Sequence, residues 1–266
     1  MEMSTPSRLK PRERLHLPQV TLCAVTSVNV SATVRALEAC LDQIAFADCL
    51  LLTDVAVRPS HPDIRVVPIG KIGSSAAYSE FLLSRLVDHV GTSHCLVAQW
   101  DGHVLDASRW RAEFLDWDYI GASWPQFNDG HDVGNGGFSL RSRRLMEACR
   151  APRFRQMHPE DVAIGRINRT WLEEQGFRFA PRELADCFAA ERTGNIEASF
   201  GYHGVWHMPQ KLGVNAFWEI FRELDDRKTV WVDLRAILEK VAGTPRGKVL
   251  ALHVLRHRIA SLFRTT

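Results

Sequence analysis

The chain has 266 residues, 45% hydrophobic and 24% charged, with a formal net charge of +2. That length and balance suit one large globular domain, with or without an appendage, and give no argument for nucleic acid as the main partner, so none is expected. No apolar run is long enough to span a bilayer, and the six cysteines, at positions 23, 40, 49, 95, 149 and 187, show no C-x-x-C pairing. The expectation is reduced thiols in a cytoplasmic setting, with neither disulfides nor zinc.

The opening stretch "MEMSTPSRLKPRER" is polar and basic without an apolar h-region, so it does not read as a signal peptide. Residues 1–17 are expected to form a flexible arm. "VTLCAVTSV" (20–28) is β-branched and apolar, a buried strand. "SATVRALEACLDQIA" (31–45) has helical spacing, with Ser31 at the N-cap position. "ADCLLLTD" (47–54) and "IRVVPI" (64–69) read as strands, and "SSAAYSEFLLSRLVDHV" (74–90) as an amphipathic helix. The strand "HCLVAQ" (94–99) follows. Such alternation implies parallel β-α-β units with helices on both sheet faces. Ligands collect beyond the carboxyl ends of such strands, where Thr26, Ser27, Asp54 and Asp101 fall.

The second half is mixed. "DYIGASW" (118–124) and "GGFSLRS" (136–142) read as strands around a polar, Gly-rich loop, "EDVAIGRINRTWLEEQG" (160–176) as a helix closed by Gly176, and 177–181 and 198–204 as short strands. After about residue 210 the pattern turns helical. The predicted organisation is an arm (1–17), a main α/β domain (18–210) and a helical extension (211–266).

Four stretches carry candidate chemistry. In "QWDGHV" (99–104), Asp101 at the tip of a buried strand needs a partner, or it is a surface-turn aspartate before glycine. His103 two residues on suggests a D-x-H pair, or packing. The glycines of "VGNGGFSLRS" (133–142) admit close backbone approach to a ligand, or mark a bulge or hairpin. "HPEDVAIG" (158–165) offers Glu160 and Asp161 as helix-dipole partners or as a source of a general base. "FGYHGVWHMP" (200–209) spaces His203 and His207 as a helical metal pair, but Gly201, Gly204 and Pro209 argue against a helix, leaving His203 as the better ligand. Trp124 is placed either to stack on a ligand or to serve as a core or hinge tryptophan.

Taken together, "QWDGHV", "DYIGASW", "GNGGFSLRSR", "PEDVAIGR" and "FGYHG" resemble the blocks of an uncharacterised glycosyltransferase-like family, a domain of unknown function, over about residues 19–210. More distantly they resemble the inverting β-1,3-galactosyltransferase and Fringe group. The resemblance implies an α/β, GT-A-like fold: a nucleotide-sugar-binding, mixed and mainly parallel sheet flanked by helices, with a C-terminal helical tail. It implies that Asp101 matches the last acid of a D-x-D triplet, Gln99 and Trp100 standing where the other acids would be. It implies that His203 is the late metal ligand, with Mn2+ or Mg2+ as cofactor, and that Asp161 is the catalytic base. Glu160 then caps the helix or orients an acceptor.

Around these, Thr26 and Ser27 are expected at the base or ribose, and Asp54, Lys71, Tyr78 and Trp100 as donor contacts. Trp124, Asn135, Gly136 and Gly137 are expected on the acceptor side. The function read from this is metal-dependent, inverting transfer of a sugar from a nucleotide-diphospho-sugar, a UDP-sugar first, to a glycan or lipid-linked acceptor in polysaccharide assembly. Two alternatives stand beside it: a metal-dependent nucleotidyl or pyrophosphate-cleaving enzyme, and a silent nucleotide-sugar-binding module. In the tail (247–266), Leu252, Leu255, Ile259, Leu262 and Phe263 share one helical face. That face suits peripheral contact with anionic lipid at the inner face of the membrane, or docking on the catalytic domain or a homodimer partner.

Overall fold

The apolar runs β1 (Leu15–Val25) and β2 (Ile44–Thr53) pair in parallel and are joined by α1 (Val30–Leu41), in a computed structural model that describes residues 13–244 and 247–262. β3 (Ile64–Pro68), α2 (Ser75–Ser84) and β4 (His94–Ala98) extend the pattern, β3 pairing with β2 and β4 with β1, both in parallel. A short β5 (Gly102–Val104) then leaves the sheet, and β6 (Tyr119–Ile120) and β7 (Phe138–Ser142) complete it in the order β3-β2-β1-β4-β7-β6. β7 runs antiparallel to both its neighbours. The class is therefore α/β, with a mixed, mainly parallel sheet flanked by helices.

Alternation along the central strands explains their continuous apolarity. Leu22, Ala24 and Leu96 pack into one core with Val34 and Leu37 of α1. Cys23, Val25, Cys95 and Val97 pack into another with Leu82 of α2 and Leu86. Both faces are covered, so both sets must be apolar. The cysteines are free and all but Cys187 are buried; burial pushes the Cys40 thiol up to about 12.

Several boundaries differ from the sequence reading. Pairing begins at Leu15, opposite Ile44, so residues 15–17 of the expected arm belong to the sheet; residues 1–12 lie outside the described residues. α1 is capped by Asn29, in a left-handed conformation (φ 54), and not by Ser31. α2 begins after Ser74, whose side chain accepts the Ala77 N–H, and gives way to a 3-10 turn at Leu86–His89. β7 begins at Phe138 because Gly136 and Gly137 form the turn before it. β6 holds two residues of the expected 118–124 strand, and of the expected 177–181 strand a single bridge, Tyr119 to Phe179, is present.

Beyond β7 come α3 (Arg143–Ala148), α4 (Glu160–Val162), a π-helical turn (Ala163–Ile167) and α5 (Arg169–Glu174). The helix expected over 160–176 breaks there because Asn168 turns its amide onto the carbonyls of Ala163 and Arg155, a side-chain competitor for backbone bonds. α6 (Arg182–Phe188), β8 (Ala189–Ala190) and β9 (Gly201–His203) follow, and β5-β9-β8 make a second, three-stranded sheet.

α7 (Met208–Lys211), α8 (Val214–Glu223), α9 (Lys228–Val232), α10 (Leu234–Ala242) and α11 (Gly247–Leu262) end the described chain. Their core is continuous with the second sheet, running from Tyr202 and Trp206 to Phe221, Ile237 and Val254. α11 docks through Ala251 and Val254, which are buried, while Leu252 and Ile259 are 60% and 55% exposed. The packed face is thus rotated from the one expected, with Ala251 and Val254 set into the core of the C-terminal helices. Phe263 lies outside the described residues. Among the described residues no helix is long and apolar enough to cross a membrane.

Candidate active site

β4 ends at Ala98, and the next three residues carry the chain to Asp101. Asp101 is 1% exposed and neither carboxylate oxygen has a hydrogen-bond partner. Its carbonyl accepts the Gly204 N–H at 3.0 Å. A buried carboxylate without donors is costly and calls for a cation. The β5–β9 register sets Gly102 opposite His203, which brings His203 Nε2 to 3.5 Å from Asp101 Oδ1 and Nδ1 to 3.4 Å from Glu191 Oε1. Burial works against an imidazolium there, but Asp101 and then Glu191 outweigh it and lift His203 to about 10.

Glu191 carried no signal in the sequence, since it sits in a polar loop after β8. Its carbonyl is held by His207 Nε2 at 2.9 Å. Burial pushes His207 down to about 4, so it is a neutral anchor for the Glu191 backbone. Gly204, at φ 114, breaks the chain between the two histidines, and no helical metal pair forms. His103 packs edge-on against Tyr202, and its Nδ1 is bonded to the Val104 carbonyl at 2.8 Å.

The glycines of "VGNGG" each answer to a different neighbour. A Cβ on Gly137 would overlap the His203 ring, and one on Gly136 would strike Glu160 and approach Asp161. The dipeptide therefore lies against His203 at one residue and Asp161 at the next. Asn135 Oδ1 accepts the Gly137 N–H at 3.1 Å, fixing the turn. Gly134 and Gly165 leave room for the indole of Trp124, which is 6% exposed. Trp124 is a core tryptophan, with no ring face left for a sugar.

Arg141 and Glu160 hold this turn from beneath. Arg141 is 1% exposed; its Nη2 meets Glu160 Oε1 at 3.1 Å and the Gly136 carbonyl at 3.3 Å. Ser79 donates to the other Glu160 oxygen at 3.1 Å and accepts the Glu160 N–H. Glu160 is thus 5% exposed, with both its oxygens bound into the framework. Asp161 points the other way, as consecutive helix-start residues must. It accepts the N–H groups of Val162 at 2.7 Å and Gly136 at 3.3 Å. Burial, and then the charge of Glu160, push its carboxyl up to about 6.

A cavity of about 370 Å3 opens beside the ends of β1 and β4. Thr26, Ser27, Tyr78, Gln99 and Trp100 line it, together with Asn29, the residues opening α2, and Asp226, Lys228 and Thr229. Ser27 Oγ accepts the Ile72 N–H at 2.7 Å, and Gln99 Nε2 donates to the Tyr78 hydroxyl at 3.0 Å. Asp54 and Lys71 are not brought here; each lines a separate hollow, Asp54 with Arg58 and Lys71 with Glu80. The residues from 225 to 229 gave no signal in the sequence, because nothing local marks them as neighbours of β1.

A divalent cation fits the Asp101–His203 pair. Two ligands held about 2.1 Å from one ion at right angles stand about 3 Å apart, close to the 3.5 Å found, and the Asp101 oxygens have no competing donors. A bound metal would displace the imidazole proton. Among the described residues no group of three or more His, Cys, Asp or Glu gathers to hold a metal, so its other ligands would be phosphate oxygens and water.

The family model described as Protein of unknown function (DUF5672) matches residues 62–203. No curated protein matches the chain. Among solved structures, the chain is similar to the mannosyltransferase PcManGT from Pyrobaculum calidifontis in complex with GDP-Man and Mn2+. The identity is 12% and the TM-score 0.45, over 97% of this chain and 79% of that one. It is also similar to the galactosyltransferase LgtC in complex with donor and acceptor sugar analogs, at 13% identity and a TM-score of 0.42, over 80% of this chain and 99% of that one.

Proposed function

The chain belongs to the family described as Protein of unknown function (DUF5672), and from its own site we propose that it is an inverting, metal-dependent glycosyltransferase of GT-A type. It moves a sugar from a nucleotide-diphospho-sugar, a UDP-sugar first, to a hydroxyl on a glycan or lipid-linked acceptor. The observation that carries this reading is Asp101: a fully buried carboxylate at a strand end, with no donor to its oxygens and an imidazole at 3.5 Å.

Asp101 and His203 are the residues that would hold Mn2+ or Mg2+. When bound, the ion neutralises charge accumulating on a leaving diphosphate. The chain's own groups do the rest. Thr26, Ser27 and Trp100 bound the cavity that takes the nucleoside. Asp161, lifted to about 6, is a base poised near neutral pH. It takes the proton of the acceptor hydroxyl as that oxygen attacks the anomeric carbon, and the carbon–phosphate-oxygen bond breaks with its electron pair leaving on the diphosphate. The buried Arg141–Glu160 pair fixes the turn against which Asp161 rests, so the base is held by a rigid element.

Thermal unfolding with UDP-, GDP-, CMP- and dTDP-sugars, with and without Mn2+, tests the donor. Product analysis by NMR tests the chemistry. A Mn2+-dependent rise in midpoint with one donor, and a product of inverted anomeric configuration, bear the reading out. Donor cleavage that never transfers sugar indicates a pyrophosphate-cleaving enzyme instead, and tight binding without turnover indicates a binding module.

A further inference from the structure

Asn29 is 4% exposed and sits in a left-handed conformation just beyond the end of β1. Its backbone N–H donates to Asp225 Oδ1, its side-chain amide donates to the Asp226 carbonyl at 2.8 Å, and its Oδ1 accepts the Asp226 N–H at 3.0 Å. Three bonds thus clasp the turn between α8 and α9 to the β1–α1 corner. Both sides of the clasp line the same cavity, which is where Asp226, Lys228 and Thr229 face Thr26, Ser27 and Trp100.

Among the described residues lining that cavity, the charged side chains are Asp226 and Lys228. They pair at 3.5 Å, with the Lys228 side chain 90% exposed. An exposed pair of that kind contributes little, so the ammonium is available to a stronger anion. A diphosphate carries more negative charge than a divalent ion at Asp101 cancels. We propose that the 225–229 turn is a wall of the nucleotide site. Lys228 is its cation for the donor diphosphate, and Asn29 is the positioning residue that holds the wall in place. This rests on the glycosyltransferase reading above, and it makes the C-terminal helices part of the donor site and not a separate appendage.

The test is calorimetric titration of UDP, GDP, CDP and dTDP, each with Mn2+, into the full-length protein and its variants. Lys228→Ala should weaken the diphosphate that binds the wild type best by about 10- to 100-fold, the scale of one charge-assisted contact. Lys228→Arg should restore most of that loss. Asn29→Ala should also weaken it, and Asn29→Ala combined with Lys228→Ala should be no worse than the weaker single variant, since both act through one contact. The unliganded unfolding midpoint of Lys228→Ala should match the wild type, because its side chain is exposed. If the wild type binds a diphosphate and Lys228→Ala binds it equally well, this inference falls and the glycosyltransferase reading stands. Additive losses in the double variant would overturn the positioning role of Asn29. If the wild type binds none of the four with Mn2+, the functional reading falls and this inference with it.

Discussion

Asp101 and His203 face one another across the β5–β9 pairing, Oδ1 and Nε2 3.5 Å apart, near enough to share a charge and too far for a good hydrogen bond. On the far side of the imidazole, Glu191 stands 3.4 Å from Nδ1. The order carboxylate, imidazole, carboxylate is that of a metal ligand steadied through its other nitrogen. A cation between Asp101 and His203 would complete what neither residue completes alone.

Asp101→Asn should still fold, since its carboxylate oxygens make no hydrogen bonds to lose, but with a lowered unliganded midpoint, because His203 loses the charge that outweighs its burial. It should lose the rise in unfolding midpoint that Mn2+ and donor give together. For the wild type that rise is worth about 2.7 kcal/mol at a hundred times the Kd. Glu191→Gln should keep a smaller rise, its Mn2+ affinity falling about 10- to 100-fold. Unchanged Mn2+ affinity in Asp101→Asn, read by electron paramagnetic resonance, would remove Asp101 from the ligand set.

Asp161→Asn should lower kcat by about 100- to 10,000-fold and leave donor affinity nearly unchanged. The wild-type rate should fall as pH drops through about 6, where the base takes up its proton. Stability runs the other way. The folded carboxyl is raised from 3.8 to about 6, so the protonated form is favoured in the fold, and stability is lost as pH rises through that value. Asn does not ionise, so the variant should gain on the wild type in unfolding midpoint as pH rises from 3.8 to about 6. Paired midpoints across that range check the sign.

Glu160→Ala should behave quite differently from its neighbour. It leaves the Arg141 guanidinium, 1% exposed, without its carboxylate. Breaking a buried pair from one side costs about 3–5 kcal/mol. Chemical denaturation should show that loss, and the variant should be inactive through the collapse of the 135–137 turn. A Glu160→Ala protein as stable as the wild type would mean the pair does not hold the turn.

α11 offers a test of which face is docked. Val254 is 1% exposed and Leu252 60%. Val254→Asp should lower stability by at least about 2 kcal/mol, since it buries a charge in an apolar cluster. Leu252→Asp should stay within about 0.5 kcal/mol. Equal losses in the two would place the helix in a different rotation.

Much of this protein was legible before any fold was known. Strands apolar on both faces announced a covered parallel sheet, because Leu22 and Cys23 must each meet a helix-bearing side. Strand ends follow from where those runs stop, and a carboxylate at such an end, Asp101, was therefore visible as unusual. Asp161 was visible for a similar local reason, as one of two acids at a helix start. Periodicity and composition report which residues are buried and where an element stops. They do not report partners distant along the chain. The pairing of His203 with Asp101 depends on β9 lying beside β5, and Glu191 joins them because β8 lies beside β9. Arg141 carried no signal of its own in the strand "GGFSLRS", and only the fold sets it against Glu160. Asp54 and Lys71 follow β2 and β3, which lie on the edge side of β1, and they line other hollows. The 225–229 turn meets Asn29 and the cavity across nearly two hundred residues of chain. Local sequence decided which groups were available for chemistry, and the packing of distant segments decided which of them meet, since contact between remote residues is set by the whole fold and not by any stretch of it.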